Sequence, residues 1–533
     1  MQHKNDNHNK VSRKYIVMQP LLLSIMVVFG IVIGYKMNDK QDGLLLKQWV
    51  KNSDGEGMQF GRVEEVLNLV KMRYLGSTDI DKLASEAIFA VVEQLDNNSY
   101  YFRPTNINDF MEQKNGVYTG IGIETIKVKD SIVVTKVYKD SPAEVSGISV
   151  FDVVMSINDN IVSGRNTVDI SQVSKLNTQN QVNLTILKND RNELVEIAME
   201  PRPIKFGNVS YHTAINDSVF YIKLSNFGEN TYEDFMKVLE IYGEKNFRHL
   251  LLDLRGNPGG LLNEASKILN QLISDKGQLM FTSWDKKGIK TEYRSTGKVF
   301  YPLGKIAIII NNGSASGAEI IAGVLQDTDR AYITGEPSYG KATIQEAFNL
   351  GRDGVLKLTT ARFFLPSGRD INNYELQGLN VSEGSEGVSA KVPKSLKYYR
   401  QLPQNMGIIP DDFDAIENNT KVNELLRFRA KEFLVEFLKS KNAGKISIGF
   451  WVENSRMVSE AFKNQLNYIG ESENIPLVTK RQVDQLLLEE LDKLLDLYSK
   501  DFSKMLIHDS FLKSGLSYLN SNLELDSFLK DLD

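Results

Sequence analysis

The chain has 533 residues, no cysteine, and a net charge of −5 from 63 basic and 68 acidic side chains. At about 150 residues per domain, this length predicts three or four domains with room for a large core. The absence of cysteine excludes disulfides, thiolate zinc sites and a cysteine nucleophile. The near balance of charge gives no basic surface for nucleic acid.

The N-terminal segment has the pattern of a membrane anchor. Residues 16–35 contain no charged side chain, and about 20 apolar residues suffice to cross a bilayer core. Lys10, Arg13 and Lys14 come before this run, so the positive-inside rule keeps the chain's start in the cytoplasm. We predict a retained single-pass anchor over residues 15–36. A cleaved signal peptide and a buried core helix are the alternatives.

Residues 37–115 are predicted to be mainly helical. Apolar side chains recur there at three- and four-residue spacing, in the groups Val63, Val66, Leu67, Val70 and Leu83, Ala87, Val91. This spacing places each group on one helix face. We expect these faces to pack on a core or to mediate contacts in a homo-oligomer.

Residues 116–200 predict a small β-rich module. Gly120-Ile121-Gly122-Ile123 precedes a β-branched run at 132–137, and Ser141-Pro142-Ala143 and Asp152 to Asn158 follow. The pattern resembles a PDZ domain, which binds an extended peptide as an added strand. Gly120, Ile121, Gly122 and Ile123 are therefore candidate peptide-binding residues. A generic β-hairpin domain is the alternative.

A glycine-rich turn follows a leucine-rich strand at 250–253. The segment Asp253 to Gly260 contains three glycines and a proline, and an amphipathic pattern continues over 261–273. Such a turn brings bare backbone N–H groups close to a ligand, although it is also an ordinary connection from a strand to a helix.

A serine occupies a second turn of the same kind. The apolar run 306–310 predicts a strand, Ser316-Gly317 lies in the turn, and 320–327 reads as a helix. N–H groups at a helix N-terminus stabilise negative charge. A serine at this place is suited to attack a carbonyl whose oxyanion those groups would bind, while turn chemistry alone is the competing explanation.

A lysine ends a third turn, after the predicted strand 331–334. Lys341 can remove a proton from a serine only as a neutral amine, and burial lowers a lysine pKa from ~10.4 toward roughly 7 to 8. Gln345 follows four residues later, one helical turn, and is spaced to orient the amine. The rival is a phosphate loop, since Gly335 to Lys341 fits G-x-x-x-x-G-K, but Ala342 stands where a magnesium-binding Ser or Thr is required.

The remaining segments carry no motif. Residues 373–406 show little periodicity and are predicted to be an inserted surface loop. Beyond 415 the pattern is helical, with an apolar face of Leu487, Leu491, Leu494 and Tyr498 and with Glu489, Asp492 and Lys493 off that face. His212, His249 and His508 lie outside every glycine turn, so a histidine base is the weaker interpretation.

These residues together resemble the C-terminal processing (tail-specific) serine peptidases, which have a PDZ domain and a Ser-Lys dyad. The resemblance covers residues 60–415 and rests on the following stretches: Leu95 to Tyr101, Leu252 to Gly260, Ser314 to Asp327, Gly335 to Gln345, Thr359 to Arg369 and Gly407 to Asp411.

The resemblance implies Ser316 as nucleophile, Lys341 as general base and Gln345 as the residue that orients the lysine. It implies an oxyanion hole from the N–H of Gly317 with that of Gly259 or Gly260. The implied activity is a serine endopeptidase that cleaves proteins near their C-termini through an acyl-enzyme, without metal or organic cofactor. The implied location is a bacterial inner membrane, with the catalytic part on the periplasmic or outer side.

The expected partners are protein or peptide substrates with accessible C-terminal tails, delivered by the PDZ domain, and the inner membrane. Two departures from the family pattern are Gly317-Ala318 for Ala-Ser, which is expected to loosen the turn, and Ala342 for glycine. They leave a catalytically decayed PDZ-type peptide-binding scaffold as the alternative. The predicted fold is α+β and multi-domain, with these parts: cytoplasmic 1–14, anchor 15–36, helical 37–115, PDZ 116–200, peptidase core 201–415 with its loop 373–406, and a helical extension 416–533.

Overall fold

The structure is a computed structural model that describes residues 57–104, 107, 117–158, 160–162, 181–205, 207–373, 392–413, 420–440, 448–473, 480–495 and 497–531. The predicted anchor, 15–36, lies outside these residues. Within these ranges, no helix combines the length and the apolar character needed to span a membrane.

Among the described residues, those from 57 to 88 form one compact unit and those from 89 onward form a second, larger unit. The first unit contains α1 (Gly57–Arg73) and the start of α2 (Ile80–Glu93). Its apolar side chains Val63 and Val66 are more than half exposed, at 54% and 56%. The helices therefore follow the predicted spacing, while these two side chains remain open to solvent.

In the second unit, the β-rich module follows the end of α2 and the short strand β1 (Tyr100–Phe102). Its elements are β2 (Val117–Gly120), β3 (Ile123–Val128), β4 (Ser131–Val137), α3 (Pro142–Val145), β5 (Val153–Ile157), β6 (Asn160–Ile161), β7 (Val182–Leu187), β8 (Leu194–Met199) and β9 (Arg202–Lys205). The main sheet has the order β3-β4-β5-β7-β8, with β6 on β5, and β2 pairs with β9. One face of this sheet buries a core that includes Ile123, Ile132 and Val154.

A second sheet forms the centre of the larger unit. Its chain region contains β10 (Val209–Ala214), β11 (Val219–Leu224), α4 (Thr231–Glu244), β12 (His249–Asp253), α5 (Leu262–Leu272), β13 (Leu279–Asp285), β14 (Lys290–Arg294), β15 (Ile306–Ile310), α6 (Gly317–Asp327) and β16 (Tyr332–Gly335). The strand order is β10-β11-β12-β15-β16, parallel except for β10. The turns after β12 and β15 therefore meet at one edge, because carboxyl ends of parallel strands share an edge.

Both faces of this central sheet are buried, which explains its nearly continuous apolar strands. Side chains alternate between the faces along each strand. Leu250 and Leu252 belong to the cluster formed with α4, α5 and α6, whereas Leu251 and Ala307 belong to a cluster that contains the C-terminal helices.

A third sheet carries the segment after Lys341. It adds β17 (Thr343–Asn349) and β18 (Val355–Phe364), and its order is β1-β18-β13-β14 with β17 paired to β18. Because β1 pairs with β18, residues just before Tyr100 lie beside the strand that pairs with β17, the strand after the lysine loop.

The C-terminal helices are α7 (Thr420–Ser440), α8 (Ile448–Glu473), α9 (Lys480–Leu495), α10 (Leu497–His508), α11 (Ser510–Asn520) and α12 (Leu525–Lys530). Three residues of the predicted apolar face, Leu487, Leu491 and Leu494, are buried on α9, whereas the fourth, Tyr498, belongs to α10. The prediction that Glu489 and Asp492 lie away from the packed face is wrong, since both are only 6% exposed. They are buried because Glu489 pairs with Arg427 and Asp492 pairs with Lys223.

Of the predicted surface loop 373–406, residues 374–391 lie outside the described residues. Its second half packs on the core. Leu402 is 2% exposed, and Arg400 forms ion pairs with Asp329 and Asp411.

Candidate active site

Ser316 lies between β15 and α6 in a backbone conformation that few residues adopt. Its φ is 52° and its ψ is −111°, and holding a non-glycine residue in such a region costs about 1 to 3 kcal/mol. Hydrogen bonds on both sides fix the turn: Ser316 N–H donates to Glu319 Oε2 at 2.8 Å, and Ala315 N–H donates to the Asn257 carbonyl at 2.9 Å. The serine is partly exposed, as a nucleophile must be.

The glycine-rich turn after β12 lies directly against the serine turn. Gly259 has a φ of +91°, and a Cβ at this position would lie 2.7 Å from the Ala315 carbonyl oxygen and 2.8 Å from the Gly317 nitrogen. Only glycine permits both this φ and this approach. The two turns are also joined through Asn311 Oδ1, which accepts from the N–H groups of Gly256 and Gly313 at 2.9 and 3.0 Å.

The three N–H groups predicted to bind an oxyanion differ in their partners. Gly259 N–H donates to Asn257 Oδ1 at 2.9 Å, so this group is already engaged. Gly317 N–H belongs to the first turn of α6, where N–H groups have no intrahelical acceptor. Over the described ranges no acceptor is found for Gly260 N–H. The geometry thus favours Gly260 over Gly259 as the second donor.

Lys341 is held in a partly buried position that favours the neutral amine. Burial, together with the nearby positive charge of Lys357, lowers the pKa of Lys341 to about 8, although the carboxylates of Glu319 and Asp96 act in the opposite direction. A pKa near working pH is what general-base catalysis requires.

Glu319 joins the serine turn to the lysine loop. Its Oε2 accepts from Ser316 N–H and from Lys341 N–H, each at 2.8 Å, so those two nitrogens are no more than twice 2.8 Å apart. Its Oε1 accepts from Gly340 N–H and Ser338 Oγ, each at 2.6 Å. Burial raises the pKa of Glu319, and these four donors oppose that effect by stabilising the carboxylate.

The sequence prediction assigned no role to Glu319. The available signal was its place three residues after Ser316, the N3 position at which a glutamate side chain reaches back to the N-cap N–H. Nothing in the sequence indicates that the same carboxylate also contacts the lysine loop, because residues 338–341 approach it only in the folded chain.

Gln345 does not lie one helical turn after Lys341. The segment is the strand β17, with a register irregularity between Ile344 and Gln345, so the prediction of helical spacing is wrong. The amide Nε2 of Gln345 donates to Thr343 Oγ1 at 2.9 Å and to Thr359 Oγ1 at 3.2 Å. A strand at this place also removes the phosphate-loop alternative, since that loop leads into a helix whose N-terminus binds phosphate.

Comparison with known proteins identifies the domains. Residues 218–379 match peptidase family S41, and residues 119–199 match the PDZ domain. The chain carries an S41 peptidase domain. The predicted family resemblance is confirmed, and the S41 match includes Ser316, Lys341 and Gln345.

Two relatives cover most of the chain. A carboxy-terminal-processing protease of Bartonella bacilliformis is 28% identical over 352 residues, which are 65% of this chain and 79% of that protein. A probable CtpA-like serine protease of Staphylococcus aureus strain N315 is 26% identical over 487 residues, 89% of each chain. Among solved structures, the photosystem II D1 C-terminal processing protease has a TM-score of 0.37 and 23% identity, and covers 58% of this chain and 84% of that chain.

The two departures of the S41 domain from the family pattern are accommodated by packing. A Cβ at Gly317 would lie 3.2 Å from Cδ2 of the buried Phe227 ring, so the ring occupies the space of the missing methyl group. Ala342 is fully buried, and its N–H donates to Asn372 Oδ1 at 3.1 Å. The expectation of a looser serine turn therefore finds no support in the surroundings of Gly317.

In the PDZ domain, the four predicted peptide-binding residues extend from the end of β2 to the start of β3. The side chains of Ile121 and Ile123 are each 1% exposed and belong to the domain's core. Gly122 has a φ of +87°, and a Cβ there would lie 2.2 Å from Ser141 Cβ. Gly120 is the last residue of β2. Since these side chains are buried, only backbone groups are left at these positions for hydrogen bonds to a peptide. Residues 163–180 of the domain lie outside the described residues.

Proposed function

We propose that the chain is a serine endopeptidase that cleaves proteins near their C-termini, with Ser316 as nucleophile and Lys341 as general base. The observation that carries this proposal concerns the carboxylate of Glu319. Its Oε2 accepts hydrogen bonds from the backbone N–H groups of both residues. The nucleophile and the base therefore belong to one small site, although 25 positions separate them in the sequence.

The proposed reaction begins when Ser316 Oγ attacks the scissile carbonyl carbon and its proton passes to the neutral amine of Lys341. The tetrahedral oxyanion accepts hydrogen bonds from the N–H groups of Gly317 and Gly260. The C–N bond then breaks, Lys341 returns the proton to the leaving amine, and an acyl-enzyme remains. Water hydrolyses this ester with Lys341 acting again as base. Loss of one oxyanion donor typically costs about 100- to 1,000-fold in rate.

The PDZ domain is proposed to bind substrate tails. Binding a tail to a module of the same chain makes the cleavage step effectively intramolecular and raises the local substrate concentration to the millimolar range (~1 mM or more). The position of β3 supports this role, because it is the end strand of its sheet among the described strands and a peptide can add to such a strand as a further one.

The test is a cleavage assay on a protein with an apolar C-terminal tail, comparing wild type with Ser316→Ala and Lys341→Ala. We expect each variant to fold, by circular dichroism, and to lose at least about 1,000-fold in turnover. The double variant should lose no more than either single one, since the two residues act as a unit. Ser266→Ala, which removes a hydroxyl bonded only within α5, is the matched control and should keep full turnover.

Trapping the intermediate adds a direct reading. Mass spectrometry of the wild type quenched during turnover should show an adduct on the peptide that contains Ser316. Normal turnover in Ser316→Ala or Lys341→Ala contradicts the proposal. A wild type that binds tails without cleaving them supports the decayed scaffold instead.

We further propose that residues 15–36 anchor the enzyme in the bacterial inner membrane with its catalytic part outside. The uncharged run and the basic residues before it support this orientation. Protease added to intact spheroplasts should digest the domain beyond residue 36, and replacing residues 15–36 with polar residues should release the protein from the membrane fraction. Full protection from the added protease contradicts the orientation.

A further inference from the structure

A loop near the start of the larger unit reaches the lysine site. Asp96 Oδ1 accepts from the N–H groups of Asn98 and Ser99 at 2.8 and 2.9 Å, and its Oδ2 accepts from Ser99 Oγ at 2.8 Å. The same Oδ1 also accepts from Thr359 Oγ1 at 3.1 Å, and Thr359 N–H donates to Ser99 Oγ at 3.1 Å. The loop is thereby attached to β18 at Thr359.

Thr359 connects this loop to Gln345. The threonine hydroxyl has one proton, and an ionised carboxylate can only accept. The proton of Thr359 therefore points to Asp96, and the hydroxyl oxygen must accept from its other neighbour, which is Nε2 of Gln345 at 3.2 Å. Thr343 Oγ1 accepts from the same Nε2.

This polarity decides how the Gln345 amide is oriented. Both of its N–H bonds are directed to hydroxyl groups, so its oxygen is the group left to accept a hydrogen bond from an amine. We propose that Thr359 is a positioning residue for the general base: held by Asp96, its hydroxyl fixes the amide of Gln345 with the oxygen available to Lys341. The inference rests on the proposed function, since it assumes that Lys341 is the base.

Three charged groups around this connection act on Lys341. Lys357 lies two positions before Thr359 on β18, on the same face of the strand. Its positive charge disfavours the ammonium form of Lys341, while the carboxylates of Asp96 and Glu319 favour that form. The groups that face Lys341 therefore come from β18, from the Asp96 loop and from α6.

The experiment compares Thr359→Val with Thr360→Val in the full-length enzyme. Both changes replace a hydroxyl by a methyl group on neighbouring residues, but Thr360 Oγ1 is buried without a hydrogen-bond partner in the described part of the chain. We expect Thr359→Val to lower kcat by about 10- to 100-fold, because the base is misplaced, with KM nearly unchanged. Thr360→Val should retain wild-type turnover, and Thr359→Ser, which keeps the hydroxyl, should restore most of the activity.

The pH profile of kcat/KM provides the second reading. Asp96→Asn removes a charge that favours the ammonium form, so the acid limb should move to lower pH. Lys357→Met removes the opposite charge, so the limb should move to higher pH, each by about half a unit or more. Thr359→Val changes no charge and should leave the limb in place. A defect confined to folding would scale the profile without moving it in opposite directions.

The outcomes separate the two proposals. If Ser316→Ala and Lys341→Ala are inactive but Thr359→Val behaves like Thr360→Val, the positioning role is wrong and the proposed function stands. Failure of Thr359→Ser to restore activity also overturns that role, since the hydroxyl would then not be what matters. Turnover that survives in Lys341→Ala removes the proposed function itself.

Discussion

Glu319 is the residue on which the geometry of the site depends most. It is fully buried and accepts four hydrogen bonds. One comes from Ser316 N–H in the serine turn. The other three come from Ser338, Gly340 and Lys341 in the loop that ends in Lys341. A carboxylate can accept at both oxygens without donating.

Replacing Glu319 by glutamine should therefore damage both the fold and the activity. The amide NH₂ would face either the N–H groups of Ser316 and Lys341 or the Gly340 N–H and the Ser338 hydroxyl. It cannot accept from these donors, and each buried hydrogen bond that is lost costs about 1 to 3 kcal/mol. Chemical denaturation and kcat measure the two effects. Glu264→Gln is the matched control, because Glu264 is also a buried helical glutamate but lies outside the site; equal kcat losses in both variants would contradict a role specific to Glu319.

Gly259→Ala should also abolish turnover. An alanine would require a φ of +91° and would approach the Ala315 oxygen at 2.7 Å, so the turn must move away from Ser316. Gly256→Ala, where a Cβ would meet no atom within 4 Å although φ is also positive, shares the backbone strain without the contact. Similar kcat for the two variants would show that the close approach is unimportant.

Activity should also rise with pH in a predictable place. In the proposed mechanism the neutral amine is the active form of Lys341, and burial together with Lys357 lowers its pKa to about 8. The kcat/KM of the wild type should therefore increase through a single acid limb near pH 8 and level off above it. A limb near the unperturbed lysine value, at about pH 10.4, would show that the amine is not buried in the working enzyme.

At the residue scale, the sequence predicted the positions of the serine, the lysine and the glycine turn because each follows an apolar strand and is marked by glycines. It did not predict Glu319 or Thr359 as parts of the site. Their roles depend on contacts between segments that are distant in the chain, such as Thr359 with Asp96, and no local pattern encodes such contacts.

At the scale of elements, the C-terminal helices contact the loops of the site through buried ion pairs and hydrogen bonds. Arg427 on α7 contacts Glu336 at 2.7 Å, Glu489 at 2.8 Å and Asn312 Oδ1 at 2.8 Å, and thereby joins the segments before Lys341 and before Ser316. Arg255, beside the glycine turn, pairs with Asp509 at 2.6 Å. Burial alone would raise the pKa of Glu489, but the guanidinium groups of Arg427 and Arg255 lower it to about 2.

Arg427→Met should destabilise the enzyme and lower its activity together. Removing one member of a buried ion-pair network leaves charges without partners, which costs about 3 kcal/mol or more. Arg456→Met on α8 is the matched control, because its pair with Glu460 is largely exposed and is worth about 0.5 kcal/mol. Denaturant midpoints measure the loss of stability, and kcat measures the loss of activity. If Arg427→Met changes neither quantity more than Arg456→Met does, α7 does not support the site.

The sequence predicted these helices from their apolar spacing but not where they pack. For α9 the pattern placed Glu489 and Asp492 on the exposed side, and both are buried. The prediction treated charged side chains as exposed. That rule fails when an arginine or lysine from another segment of the chain pairs with the carboxylate and allows it to be buried. The strand β17 was missed for a related reason, since its pairing with β18 decides its conformation and local spacing does not.

At the scale of the whole larger unit, the same helices lie between the PDZ domain and the central sheet. Ile126, Val128 and Val133 of the PDZ sheet share a buried cluster with residues of α7, α9 and the central strands. The PDZ domain therefore packs on elements that also contact the catalytic loops. Deleting it would uncover this apolar face, so a local change in the domain is the sharper test of its role.

Gly122→Ala is such a change. The positive φ and the 2.2 Å distance to Ser141 Cβ force the backbone at the start of β3 to move, while the face that packs on the helices is unaltered. We expect KM for a tailed protein to rise about tenfold or more, because the local concentration of the tail is lost, with little change for a short peptide that lacks the tail. Unchanged KM for both substrates would contradict delivery by this domain.

The order in which the chain is made gives the C-terminal helices a further consequence. The central strands and the catalytic turns leave the ribosome well before Ser510–Asn520, the helix that covers Leu251 and Ala307 on one side of the sheet. Until that helix arrives, Arg255 lacks Asp509 and a broad apolar surface stays wet, so native packing of the centre cannot be completed during early translation. We therefore expect the catalytic centre to reach its native packing only after Ser510–Asn520 has been synthesised.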